Sequence, residues 1–212
     1  MKLESVLKRY KAYFIEKIEK YGADPKGVDY NGCEAQEIRF EQLVKVINPS
    51  AAFSIIDYGC GYGALFDFLQ KKNWQFTYHG FDMIEKMVIA GKDAHKDFDS
   101  ARFFHAESDL EVADYLVAGS IFNNKFEADN VEWQNLVSAT LQRMNNLCSK
   151  GFAFNMLTKY SDEDRMSQRP DLFYGDPLFF FDFCKRNFSR NVALLHDYGQ
   201  YDFTILVRKN IV

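Results

Sequence analysis

The segment Ile55-Ile56-Asp57-Tyr58-Gly59-Cys60-Gly61-Tyr62-Gly63-Ala64-Leu65 sets an acid and three alternate glycines between an apolar run and a helix start. Glycine lets a backbone pass close to a ligand, because no side chain stands between them. The helix that follows offers unpaired N–H groups and a positive dipole end to anionic ligand groups. Gly59, Gly61 and Ala64 also satisfy the relaxed dinucleotide pattern G-x-G-x-x-G/A. Asp57 counts against that reading, since an acid beside the loop repels a pyrophosphate. A glycine-rich turn that binds nothing is a third reading, against which stands the backbone entropy that three alternate glycines lose on folding.

A second acid, Asp82 in Tyr78-His79-Gly80-Phe81-Asp82-Met83, closes the next apolar run. In a βαβ unit an acid about twenty residues past the glycine loop sits at the end of the neighbouring strand and accepts from ribose hydroxyls. Asp82 can equally cap the helix that opens near Met83. NAD-binding folds use such an acid, but folds for other nucleoside ligands do so too, so Asp82 does not by itself name the ligand.

These residues need strands and helices to position them. Apolar runs predict strands over 53–58, 76–81, 102–105, 114–119 and 151–157, with helices over 64–71, 84–91 and 131–148 between most of them. That alternation implies a parallel sheet covered on both faces. The last two strands, 191–196 and 202–208, are separated by only Asp197-Tyr198-Gly199-Gln200-Tyr201, a link too short for anything but an antiparallel hairpin. Two helices, 3–21 and 34–47, precede the sheet and flank a turn-rich connector.

The chain has 212 residues, enough for one domain with a substantial core. Hydrophobic residues reach 47% and aromatics 17%, which excludes a disordered chain. Net charge is −4 with no long basic cluster, which argues against a broad nucleic-acid surface. Apolar runs are too short to span a bilayer, and the N-terminus reads as an amphipathic helix rather than a signal peptide. Cys33, Cys60, Cys148 and Cys184 show no metal-binding spacing and fit buried thiols in a reducing cytoplasm.

The acid-x-Gly-x-Gly-x-Gly run resembles motif I of the class I S-adenosylmethionine (SAM)-dependent methyltransferases, and the spaced acid and terminal hairpin strengthen the likeness. The resemblance covers residues from Phe53 to the C-terminus. It implies a three-layer, Rossmann-like α/β fold with a doubly wound, mostly parallel seven-stranded sheet ending in an antiparallel hairpin. It further implies a single domain, 1–212, with an N-terminal helical lid (1–50) and a SAM-binding core (51–212) carrying a substrate loop around 158–177. Asp57, Gly59, Cys60, Gly61 and Gly63 would then surround the methionine part of SAM, Asp82 the ribose, and Met83 the adenine. Glu107 and Ser108 match the family segment near the adenine amine, although Glu107 is equally an exposed turn acid. Gly119 and Ser120 would face the sulfonium. Gln36 and Arg39 lie three apart on one helix face, where Arg39 would pair with the SAM carboxylate and Tyr30 would close over the cofactor; a solvated surface helix is the plainer alternative.

No [DN]-P-P-[YF] motif follows the fourth strand, so adenine methylation in DNA is not expected, and the absence of paired acids there predicts no metal. His196, Tyr198 and Asn155 are the catalytic candidates, His196 because an imidazole near neutrality suits deprotonating an acceptor. Phe173 and Tyr174 are candidates to cap a substrate. The resulting expectation is a cytoplasmic SAM-dependent methyltransferase that leaves S-adenosyl-L-homocysteine (SAH) and acts on a small-molecule acceptor. Two alternatives stand beside it: a catalytically silent SAM-binding regulatory or assembly protein, and an NAD-dependent Rossmann enzyme. The oligomeric state and the methylated element are not readable from the sequence.

Overall fold

The computed structural model describes residues 2–209. Seven strands form one sheet: β1 (Phe53–Tyr58), β2 (Phe76–Phe81), β3 (Ala101–Phe104), β4 (Ala113–Ala118), β5 (Cys148–Leu157), β6 (Asn191–Leu195) and β7 (Asp202–Arg208). Their order is β3-β2-β1-β4-β5-β7-β6. The first five are mutually parallel, and β7 runs antiparallel to both β5 and β6. The hairpin therefore folds back so that its second strand, not its first, joins the sheet interior.

Burial on both sides explains the near-continuous apolar character of β1 and β4. On one face Ile55, Tyr115, Val117, Ala153 and Leu206 pack against α2 (Cys33–Leu43), α3 (Ala64–Gln70) and α4 (Glu85–Ala94). On the other, Ile56, Leu116, Phe152, Phe154 and Ile205 pack against α5 (Asn130–Asn146) and α7 (Pro177–Asn187). Asp129 caps α5 by accepting from Val131 and Glu132 N–H groups at 2.9 Å. Asp176 caps α7 in the same way, just ahead of Pro177, whose fixed φ suits a first helical position.

Some boundaries differ from the sequence expectation for identifiable reasons. Helix α2 stops at Leu43 and tightens into a 3-10 turn, Val44–Val46, ahead of Asn48-Pro49. Strand β5 begins at Cys148, where it pairs with Ala113 across a bulge. Strand β6 ends at Leu195, leaving His196 beyond it. The long segment after β5 carries a short helix, α6 (Glu163–Gln168).

Helix α1 (Lys2–Tyr21) buries Val6, Phe14 and Ile18, spaced eight and four residues apart on one face. It is tied down at several points. Asp29, in a left-handed conformation, accepts from Tyr13 Oη at 3.0 Å and Lys17 Nζ at 2.7 Å. Glu19 pairs with Lys86 of α4, and Arg9 with Glu127 ahead of α5. These ties hold α1 across the carboxyl ends of the central strands, where open α/β sheets take their ligands.

Candidate functional site

The glycine loop joins β1 to α3 with Gly59, Gly61 and Gly63 at φ 86°, 55° and 92°. A Cβ at Gly59 would fall 2.3 Å from Ile121 Cγ2, and one at Gly61 2.6 Å from Val28 Cγ1. These two glycines front a cleft with close walls. Gly63 does not face it: a Cβ there would meet His95 and Phe103 at 2.8 and 2.9 Å, on the helix side of the loop. The loop's amides are largely engaged within the protein. Gly59 and Cys60 N–H groups both donate to Phe81 O, Gly63 N–H to Cys60 O, and Gly61 N–H to Asp82 Oδ2. A phosphate cradle needs such donors free, so this loop is poorly equipped for a pyrophosphate.

Two buried carboxylates flank the loop. Tyr78 Oη donates to Asp57 Oδ2 at 2.7 Å, yet burial pushes the Asp57 carboxyl up to about 7. Asp82 accepts from Gly61 N at 2.9 Å on one oxygen and from Ile84 N at 2.9 Å on the other. Burial raises its carboxyl to about 6 against the pull of those two donors. Asp82 thus braces the loop and a turn onto Ile84, while the N-cap position of α4 falls on Ile84 with no side-chain cap bond, so Asp82 is not the helix cap. A carboxylate offers about four acceptor sites, so two remain for hydroxyl donors.

Between these groups lies a cavity of ≈ 200 Å³. Asp57, Gly59, Cys60, Gly61, Asp82, Met83, Gly119 and Ser120 line it, so eight of the residues singled out in the sequence meet around one space. Tyr30 lines it as well. Met83, Ile121, Phe122 and Trp133 make one end apolar, and Leu7, Tyr10 and Phe14 of α1 border the same space. Tyr10 Oη donates to Ile121 O at 3.4 Å, and burial raises its phenol well above the ordinary range.

The remaining candidates lie off this wall. Glu107 sits in a 3-10 turn, Glu107–Asp109, and its Oε1 pairs with Arg143 Nε at 3.2 Å; it is Arg143 of α5 that borders the cavity. Ser108 Oγ donates to Asp109 at 3.3 Å. Gln36 is buried and faces Tyr62. Arg39 is committed to Asp202 and to Ala35 O, and it meets the cavity only through the Tyr30 ring, 5.5 Å from its guanidinium carbon. Asn155 Oδ1 accepts from Ser120 N at 2.7 Å, directly behind the wall. Tyr198 Oη bonds Thr204 Oγ1 at 3.0 Å, and His196 lies against the rings of Tyr160 and Phe203 at 6.0 and 6.3 Å. Phe173 is 3% exposed and packs on Phe180, so it is a core residue and not a free substrate cap.

Sequence reasoning missed Trp133, Arg143 and Asp202. Trp133 and Arg143 carry no local motif and reach the site through the placement of α5. Asp202 reads as an ordinary strand-start acid until Arg39 is seen beside it. Among the described residues no group of three or more His, Cys, Asp or Glu is arranged to hold a metal ion. No described helix is long and apolar enough to cross a membrane.

No protein-family model matches the chain. Over 166 residues it is 45% identical to a Mycobacterium tuberculosis protein named "Putative methyltransferase Rv1506c", covering 78% of this chain and 99% of that protein. Among solved structures, the N-methyltransferase NodS from Bradyrhizobium japonicum WM9, in complex with SAH, superposes with a TM-score of 0.64 at 12% identity, over 95% of this chain and 98% of that one. The CurJ carbon methyltransferase superposes with a TM-score of 0.57 at 12% identity over 79% of this chain, which spans 51% of the CurJ chain. The solved structures share the fold alone, while the mycobacterial relative is close enough in sequence to carry the family with it. The chain belongs to the class I SAM-dependent methyltransferase family.

Proposed function

We propose that this chain transfers a methyl group from SAM to a small-molecule acceptor by in-line displacement. The observation that carries the reading is the single cavity shared by Asp57, the Gly59–Gly61 bend, Asp82 and the Gly119–Ser120 bend. The donor set fits SAM. Two carboxylates suit an ammonium and a pair of hydroxyls, the apolar end suits an adenine ring, and the engaged loop amides leave little for a phosphate.

In this reading Asp57 and the Gly119–Ser120 bend hold the methionine end, Asp82 the ribose, and Met83 with Ile121 the adenine. Arg143 links Glu107 to the adenine end. When bound, SAM supplies an electrophilic methyl on a sulfonium. The chain's own contribution is then to orient the acceptor in line and exclude water, since alignment alone supplies much of a displacement's acceleration. The α1 helix and the Tyr30 connector serve as the lid, and the segment around 158–177 borders the acceptor side. A small acceptor is favoured because α1 already covers the cleft. The four free cysteines, three of them buried, suit a reducing, cytoplasmic setting.

Turnover separates this reading from a silent SAM-binding protein. With methyl-labelled SAM and a panel of small alcohols, amines, thiols and acids, we expect SAH to accumulate with at least one acceptor and not with DNA or RNA. Tight SAH binding with no transfer to any of them would favour the silent protein, and transfer to nucleic acid alone would overturn the small-acceptor assignment.

A further inference from the structure

Behind the wall formed by Tyr30 and Ser120 lies a buried polar cluster with two unused hydrogen-bonding atoms. Asn155 and Asp202 are both 0% exposed. Asn155 Oδ1 takes the Ser120 N–H, which turns its Nδ2 away from the end of β4, and that Nδ2 has no partner among the described residues. Asp202 Oδ2 takes Arg39 Nε, and its Oδ1 likewise has none. Leaving such a group unpaired in the interior is costly, so an orphan donor and an orphan acceptor in one place call for a shared partner.

They are in one place. In the β5–β7 ladder Asn155 faces Thr204 and Leu157 faces Asp202, so Asn155 and Asp202 are diagonal neighbours on one face. Diagonal residues in antiparallel sheets are spaced about 7–8 Å apart along the backbone, within reach of one another's side chains. The face is that of Asp57 and Gly119, one strand over from the cavity wall.

We propose that Asn155 and Asp202 form the acceptor-recognition subsite of the methyl transfer proposed above, and that it selects a neutral hydroxyl-bearing acceptor over an ammonium or a carboxylate. The inference rests on that functional reading. Charge carries the selectivity. Arg39 pairs with Asp202, Arg165 and His196 act on that carboxylate only through space, and Tyr30, Asn155, Tyr198 and Thr204 bring no charge. A hydroxyl both donates and accepts, so it satisfies Asp202 Oδ1 and Asn155 Nδ2 together. An ammonium has no lone pair for Asn155, and a carboxylate has no proton for Asp202. Access requires Tyr30 to move. Its side chain is held by one hydrogen bond, to Ser120 Oγ at 3.1 Å, and by its stack on Arg39, and it sits in a connector outside any helix or strand.

The test uses the full chain saturated with SAH and three probes of one shape: cyclohexanol, cyclohexylammonium and cyclohexanecarboxylate. Saturation-transfer NMR reads binding of each. We expect cyclohexanol to bind roughly tenfold or more tighter than the other two, a difference of about 1.4 kcal/mol. Asp202→Asn leaves Arg39 uncompensated and should switch the preference to the carboxylate. Asn155→Asp adds a negative charge and should switch it to the ammonium, which keeps the test open if the first variant does not fold. Failure of SAH itself to bind breaks the cofactor reading instead. With SAH bound, no response to any probe, or the same order of preference in both variants, overturns the subsite and leaves the two atoms bridged by a buried water.

Discussion

At the β1–β2 end of the cleft, the residues that meet come from one βαβ unit: Asp82 braces Gly61 from 21 positions away. At the β4–β5–β7 end they come from across the chain. Tyr30 reaches Ser120 over 90 positions, and Arg39 reaches Asp202 over 163. The first end is held by short-range geometry that a motif encodes. The second is assembled only when the whole sheet has closed, and it carries a buried ion pair that the first lacks. The difference teaches where function and stability are coupled. The cofactor end should tolerate loss of a contact with a drop in affinity, whereas the acceptor end should answer the same kind of loss with a drop in stability.

The largest effect is expected from Arg39→Ala. It strands the Asp202 carboxylate in the interior, where removing one partner of a buried pair costs about 3–5 kcal/mol. Urea denaturation reads it directly, and a loss below about 1 kcal/mol would mean that the pair behaves like an exposed one. Next comes Asp82→Ala, which should weaken SAH binding by about 1–3 kcal/mol, the range for hydrogen bonds to a charged group. Unchanged affinity by calorimetry would remove Asp82 from the cofactor end.

A pH series sharpens the same contrast. Asp57 and Asp82 have folded-state values near 7 and 6, above the usual carboxylate range. Their contribution to the stability of the free protein is full below about pH 4 and is lost as pH rises through about 6 to 7. A ligand that brings an ammonium to one carboxylate and hydroxyl donors to the other favours their charged forms. SAH affinity should therefore climb between about pH 5 and about pH 8, with proton release on the acid side. A flat profile in calorimetry would show that neither carboxylate meets the ligand. The smallest effect is expected from Tyr30→Phe, which removes one hydrogen bond to Ser120 and should cost about 0.5–1.5 kcal/mol in thermal unfolding.

The sequence was most legible where one segment contained both the geometry and the chemistry. Strands β1, β2 and β7 begin and end where their apolar runs do, and Asp57, Gly59, Gly61 and Asp82 share a cavity as their spacing implied. Gly63 shows the limit of that reading. It belongs to the same motif but faces His95 and Phe103, because every second glycine in a tight turn does not present the same side. The resemblance to a lid points to Arg39 and Gln36, and their spacing fixes a helix face but not what that face meets. Asp202 and Tyr62 take them up instead. Trp133 and Arg143 were invisible because their role depends on how α5 crosses the sheet.

The most direct test of the account is a calorimetric titration of the intact chain with SAH, with NADH run alongside. Asp57 beside the glycine loop, and the loop amides already engaged within the protein, predict binding of SAH and none of NADH. Binding of NADH in preference to SAH would contradict the account at its centre, since it would require a pyrophosphate to settle beside Asp57 on a loop whose amides are already engaged.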